Sequence, residues 1–179
     1  MQTALTAAKR GARSLYIDTE GSFRPERMEE MAKARGWDPR ELLERVVYVR
    51  SDSSSEQIEA IRRMDSRSAT SESRLVVVDT LTRNFSLELP GRSNLSSRQA
   101  ALNVHLSEMA RDSYLSGRAY VLTNRVTFGA TRDVGIGGKT VEQLVHESLM
   151  LQREEGKVVA TRIPTGERVS AQMGAAGVD

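Results

Sequence analysis

Leu75-Val76-Val77-Val78-Asp79 is a run of four aliphatic residues closed by an acid. Such a run has no polar face, so it predicts a strand covered on both sides, as in a parallel sheet. The same signature recurs upstream at Ser14 to Asp18, Ser-Leu-Tyr-Ile-Asp. Shorter apolar runs at Val46 to Val49 and Ala119 to Thr123 predict two more strands.

Helices are predicted between these strands. Met1 to Arg10 carries Leu5 and Ala8 on one side and stops at Gly11. Pro25 suits a first helical position, with Met28, Met31 and Ala32 inside and Gly36 at the end. Asp38-Pro39-Arg40-Glu41 and Ser53 with Glu56 have the form of capping boxes. The second of them opens a helix with Ile58, Ile61 and Met64. Leu95 to Leu115 places Leu95, Leu102, Leu106 and Met109 at helical spacing.

Ser66 to Ser73 and Thr80 to Asn94 are predicted polar loops, and Arg125 to Lys139 a basic, glycine-rich one. Ser148 to Gln152, Val158 to Ile163 and Val169 to Met173 alternate apolar and polar residues. They predict short, partly antiparallel strands with a turn at Glu154 to Gly156. The expected class is α/β: one domain over residues 1–179, with a parallel central sheet flanked by helices.

Composition narrows the chemistry. Apolar residues are 39 % and charged residues 28 % of the chain, ordinary for a globular protein. Cysteine is absent, which excludes disulfides, thiolate zinc sites and a cysteine nucleophile. His105 and His146 stand too far apart to suggest a metal pair, and both are expected to be structural, His105 half-buried near the apolar stripe of the long helix. No membrane span or signal peptide is predicted, and a cytoplasmic location is expected. A formal charge of +2 does not by itself argue for nucleic acid; what counts is whether the basic residues share a face.

Function in open parallel sheets gathers at the carboxyl ends of the strands. Those ends carry Asp18-Thr19-Glu20, Asp79-Thr80 and Thr123-Asn124. Asp79 has the place of a Walker B acid that orients magnesium; a plain loop-capping acid is the alternative. Glu20 has the place of a carboxylate that polarises water; capping the helix at Pro25 is the alternative.

The stretch Tyr16 to Arg27 (Tyr-Ile-Asp-Thr-Glu-Gly-Ser-Phe-Arg-Pro-Glu-Arg) resembles the segment after the second core strand of the RecA/RadA recombinase family. Leu75 to Thr82 resembles its Walker B segment. Gly91-Arg92 with Leu95 to Gln99 resembles its first DNA loop and the helix behind it. Thr123 to Val126 and Ile136-Gly137-Gly138 resemble the flanks of its second DNA loop. The order and spacing of these motifs match the family from Leu15 to Ile163. Loop lengths look closest to archaeal RadB-type paralogues.

The resemblance implies a RecA-like fold, ATP and Mg2+ as cofactors, and single- or double-stranded DNA as partner. It assigns Glu20 and Asp79 to catalysis, with Asp79 also at the metal. Arg24, Thr80, Asn124 and Arg125 would face the nucleotide, with Arg24 against the adenine. Arg83, Arg92, Arg98, Arg125, Arg132 and Lys139 would face DNA, and Phe128 is a candidate for base stacking or for anchoring the second loop.

Two departures temper this. No Gly-x-x-x-x-Gly-Lys-Ser/Thr sequence occurs, so the first strand and phosphate-wrapping loop are expected to be missing, through a truncated gene start or degeneration. Poor ATP hydrolysis follows as an expectation. The family usually has glutamine where Arg125 stands. The leading expectation is a DNA repair and recombination protein, an ATPase only if the loop is supplied. A recombinase-binding adaptor and a KaiC-like switch remain alternatives, and a recombinase or a homo-oligomer is the expected protein partner.

Overall fold

The computed structural model describes residues 1–65, 70, 72–127, 134–135 and 139–178. The chain opens with α1 (Gln2–Lys9), β1 (Arg13–Asp18), α2 (Pro25–Ala34), α3 (Pro39–Leu43) and β2 (Val46–Arg50). It continues through α4 (Ser54–Arg62), a single 3₁₀ turn (Arg63–Asp65), β3 (Ser73–Asp79), α5 (Arg83–Glu88), α6 (Leu95–Ser116) and β4 (Ala119–Leu122). Two-residue strands β5 (Val126–Thr127) and β6 (Val134–Gly135) precede α7 (Lys139–Leu144). Last come β7 (Ser148–Glu154), β8 (Lys157–Ile163), β9 (Arg168–Ala171), β10 (Met173–Gly174) and β11 (Gly177–Val178).

The central sheet is parallel, in the order β2-β1-β3-β4. Its pleat sorts the side chains into two cores. Leu15 and Ile17 of β1 with Val76 and Val78 of β3 pack against α4, α5 and α6 through Ile61, Phe85 and Leu102. Tyr16, Leu75 and Val77 point the other way, onto Leu5, Met28 and Leu42 of α1, α2 and α3. The aliphatic run of β3 is thus covered on both faces, as its composition requires. β7, β8 and β9 form a separate antiparallel sheet, and β5 pairs with β6.

The caps follow the sequence closely. Asp38 accepts from Arg40 N at 2.9 Å. Ser53 Oγ accepts from Glu56 N at 3.1 Å, while Glu56 reaches back to Asp52 N at 2.7 Å, one residue beyond the usual reciprocal partner. In the β7–β8 hairpin, Glu155 and Gly156 both have positive φ, at 48° and 81°, the geometry that matches a two-residue turn to strand twist.

Three expectations change. Thr80 to Asn94 is not all loop: α5 forms inside it, because Phe85 is 1 % exposed and nucleates a turn against the sheet. Leu95 is 42 % exposed and does not share the buried stripe of Leu102, Leu106 and Met109. His105 lies on that stripe and is fully buried rather than half-buried. Phe128, Arg132 and Ile136 to Gly138 lie outside the described residues, as does most of the loop from Ser66 to Ser73.

Candidate functional site at the carboxyl edge of the sheet

From β1 the chain moves outward to β2, and from β3 it moves the opposite way to β4. The carboxyl edge between β1 and β3 is therefore a topological switch point, where open α/β sheets form their binding crevice. The register pairs Asp18 with Asp79 there.

Asp18 organises the first loop. Its carboxylate is fully buried and accepts four backbone N–H groups, from Glu20 at 3.0 Å, Gly21 at 2.8 Å, Ser22 at 3.2 Å and Phe23 at 3.0 Å. Burial pushes its pKa up, but the four amides outweigh burial and hold it below the ordinary carboxylate value. Gly21 has φ +72°, a conformation that L side chains rarely adopt, and a Cβ there would stand 2.9 Å from Arg50 Nη1, so glycine is favoured. Phe23 rests between Tyr16 and Tyr48, at centroid distances of 4.9 and 4.7 Å. The loop that presents Glu20 is thus fixed from below.

Asp79 is held at both oxygens. Tyr16 Oη donates to Oδ2 at 2.5 Å and Thr123 Oγ1 to Oδ1 at 2.6 Å. Burial, then the bond to Asp79, raises the Tyr16 pKa, so the phenol keeps its proton. The Asp79–Thr80 peptide is cis. Thr80 is tied to Thr19 by two hydrogen bonds.

Glu20 faces two arginines. Arg125 Nη2 lies 2.9 and 2.7 Å from its two oxygens, and Arg83 Nε lies 3.3 Å from Oε2. Arg83 Nη1 also donates to Thr19 O at 2.8 Å. Side-chain exposure rises outward from 18 % for Glu20 to 29 % for Arg83 and 64 % for Arg125. Asn124 Oδ1 accepts from Thr82 Oγ1 at 2.8 Å and from Arg125 N at 3.0 Å, which sets the start of the Arg125 segment.

The structure therefore brings Glu20, Asp79, Thr80, Arg83, Asn124 and Arg125 to one edge. Arg24 folds onto its own loop, donating to Gly21 O and Phe23 O. Arg98 Nη1 donates to Leu89 O at 2.7 Å and pins the end of α5. Arg92 is exposed between α5 and α6, and Lys139 begins α7. Asp18, Thr19 and Thr123 were marked from sequence only as strand-end residues, without a role, and Tyr16 was given none. The signal of the first three is position, at or just past a strand end that the register brings level with Asp79; Tyr16 lies two residues inside β1, level with Val77.

Among the described residues no group of three or more His, Asp or Glu side chains is arranged to hold a metal ion, and no helix is long and apolar enough to cross a membrane. Both Asp79 oxygens are engaged by hydroxyls and Glu20 by guanidinia. These residues do not by themselves make up an ATP–magnesium site.

A parallel α/β sheet with acids at the tips of β1 and β3 and arginines around its switch point defines the RecA-like class. The Rad51 family model matches residues 1–168, and the chain belongs to that family. It is similar to the DNA repair and recombination protein RadA of Ignicoccus hospitalis, with 31 % identity over 95 % of this chain and 55 % of the relative. It is also similar to the RadA proteins of Aeropyrum pernix and Metallosphaera sedula, each at 34 % identity. Those matches cover 89 % and 88 % of this chain, and 53 % and 52 % of the relatives. The chain spans about half the length of the curated relatives it matches.

Proposed function

We propose that this chain serves DNA repair and homologous recombination as a cytoplasmic protein of archaeal type, and that it engages DNA through the arginines of its carboxyl edge. The observation that carries this reading is the convergence of Arg83 and Arg125 on Glu20 at the switch point, followed by Arg92 and Arg98 around the α5–α6 connection. Guanidinium groups suit phosphate because they offer planar, paired donors. Arg132 and Lys139 extend the basic set along the segment after Arg125. ATP and Mg2+, with Glu20 and Asp79 as the acids and Arg24, Thr80 and Asn124 beside the nucleotide, belong to this reading only when a phosphate-wrapping loop is supplied.

Fluorescence anisotropy of labelled single-stranded DNA across a salt series, with and without ATP and magnesium, tests it. Salt-sensitive binding that ignores ATP is the expected result. Failure to bind at low salt would remove DNA from the reading.

A second reading is an adaptor that docks on a recombinase. Leu149, Leu151 and Val169 favour it: they share one face of the β7–β9 sheet and are 61 %, 64 % and 68 % exposed. Retained partner binding without DNA affinity would select it.

A further inference from the structure

We propose that Arg83 and Arg125 form a receiving site for a phosphate group, and that Glu20 fills this site until a phosphate displaces it. The inference rests on the DNA reading above and deepens it: it names the phosphate-binding pair and a contact that inhibits it.

The geometry is that of an oxyanion already bound. Arg125 Nη2 spans both Glu20 oxygens at 2.9 and 2.7 Å, and Arg83 Nε approaches one of them at 3.3 Å. A phosphate presents tetrahedral oxygens with similar spacing and more charge, so it suits the same donors. Arg83 is prepared for the exchange. Its Nη1 bond to Thr19 O does not involve Glu20, so the guanidinium stays in place when the carboxylate leaves. Arg125 is the outer half, 64 % exposed and one residue before β5. Solvent around the Arg125 guanidinium weakens its pair with Glu20, so displacement costs little. The Glu20 backbone is anchored separately, by its N–H on buried Asp18, so releasing the side chain leaves the loop intact.

Glu20 is then an internal competitor. Neutralising it should tighten phosphate binding, the opposite of what loss of a cooperating residue would do. The test compares labelled single-stranded DNA binding by wild type, E20Q, E26Q and E20Q/R83Q/R125Q over a salt series. Glu26 is exposed in the first turn of α2 and controls for overall charge. E20Q should bind about five-fold tighter, and its log–log salt slope should steepen by about 0.7 to 1.4, that is, one or two further phosphate contacts. E26Q should stay within about two-fold of wild type, and the triple variant should lose the gain.

Unchanged binding of both DNA and ATP by E20Q, beside a wild type that binds DNA, overturns the inference, as does an equal gain in E26Q. A wild type that binds no DNA sinks the proposed function instead. The inference is then read from the wild-type Arg83 Nε–H NMR signal under millimolar inorganic phosphate. Its displacement supports the site, and an unmoved signal overturns it. ATP in place of DNA separates the sources: a gain for ATP alone assigns the phosphate to a nucleotide.

Discussion

Thr19 and Thr80 exchange hydrogen bonds in both directions: Thr19 Oγ1 donates to Thr80 O at 2.9 Å and accepts from Thr80 N at 2.7 Å. Thr19 N also donates to Asp79 O at 2.8 Å. One buried hydroxyl thus closes the backbone of the β3 tip onto the β1 tip and holds the two acidic loops side by side. Thr19→Val keeps the shape and removes the hydroxyl. It leaves a buried N–H and C=O unpaired, so a loss of about 2–4 kcal/mol is expected in urea unfolding at neutral pH. Thr19→Ser, which keeps the hydroxyl, should cost about 1 kcal/mol or less.

Asp18→Asn replaces an acceptor of four amides by a group with one acceptor oxygen. A loss of about 2–4 kcal/mol is expected. The pH behaviour identifies the cause. The Asp18 pKa is lowered in the folded state, so its contribution is complete above the ordinary value of 3.8 and is lost as pH falls through the lower folded value. Acid titration of stability should lose this component in Asp18→Asn. An unchanged acid limb would mean that the four amides do not stabilise the charge.

His105 predicts a second pH dependence, in a different window. Its ring is buried, and Nε2 lies 3.3 Å from Gln57 Nε2, where a neutral imidazole accepts. Burial lowers its pKa to about 4, against the ordinary 6.5; Glu108 opposes this and Arg62 adds to it. The unfolded chain takes up a proton first. Stability is therefore complete above pH 6.5 and falls as pH drops toward 4, by about 3 kcal/mol. Melting temperatures of wild type and His105→Leu between pH 7 and pH 4 check this. The variant should lie lower at pH 7, and its slope over that range should be shallower.

Gly177 anchors the carboxyl-terminal hairpin. Val178 N donates to Gln2 Oε1 at 2.8 Å, and Gln2 Nε2 donates to Val178 O at 2.9 Å. Gly177 has φ +106°, and a Cβ there would fall 2.8 Å from Gln2 Cδ. Gly177→Ala should detach β10 and β11 from α1 at a cost of about 1–3 kcal/mol. Hydrogen exchange read by mass spectrometry should show faster exchange over residues 173–178, with β3 unchanged.

Composition and spacing reached far into this fold. The aliphatic run at Leu75 to Val78 is apolar on both faces, and a strand of that kind is stable only when covered on both sides. Asp38 and Ser53 act as caps because short polar side chains satisfy helix N–H groups locally. Such features depend on neighbours a few residues away. Helix α5 was not legible, because Arg83 to Glu88 has too little periodicity; a single residue, Phe85, becomes apolar anchor only when the sheet is beside it.

The site divides in the same way. Glu20 and Asp79 could be picked out from sequence because each follows a strand end. The sequence also marked Arg83 and Arg125 as basic residues of the carboxyl-edge loops. That both reach Glu20 depends on β1, β3 and β4 lying in the order that brings residues 63 and 105 positions apart into contact. The sequence by itself determined the strands, the caps and the acids at the strand tips, because these follow from local pattern and burial. Only the tertiary structure decided that Asp18 gathers four amides, that Thr19 joins the acidic loops, and that two arginines close on Glu20, because charge pairing acts through space and not along the chain.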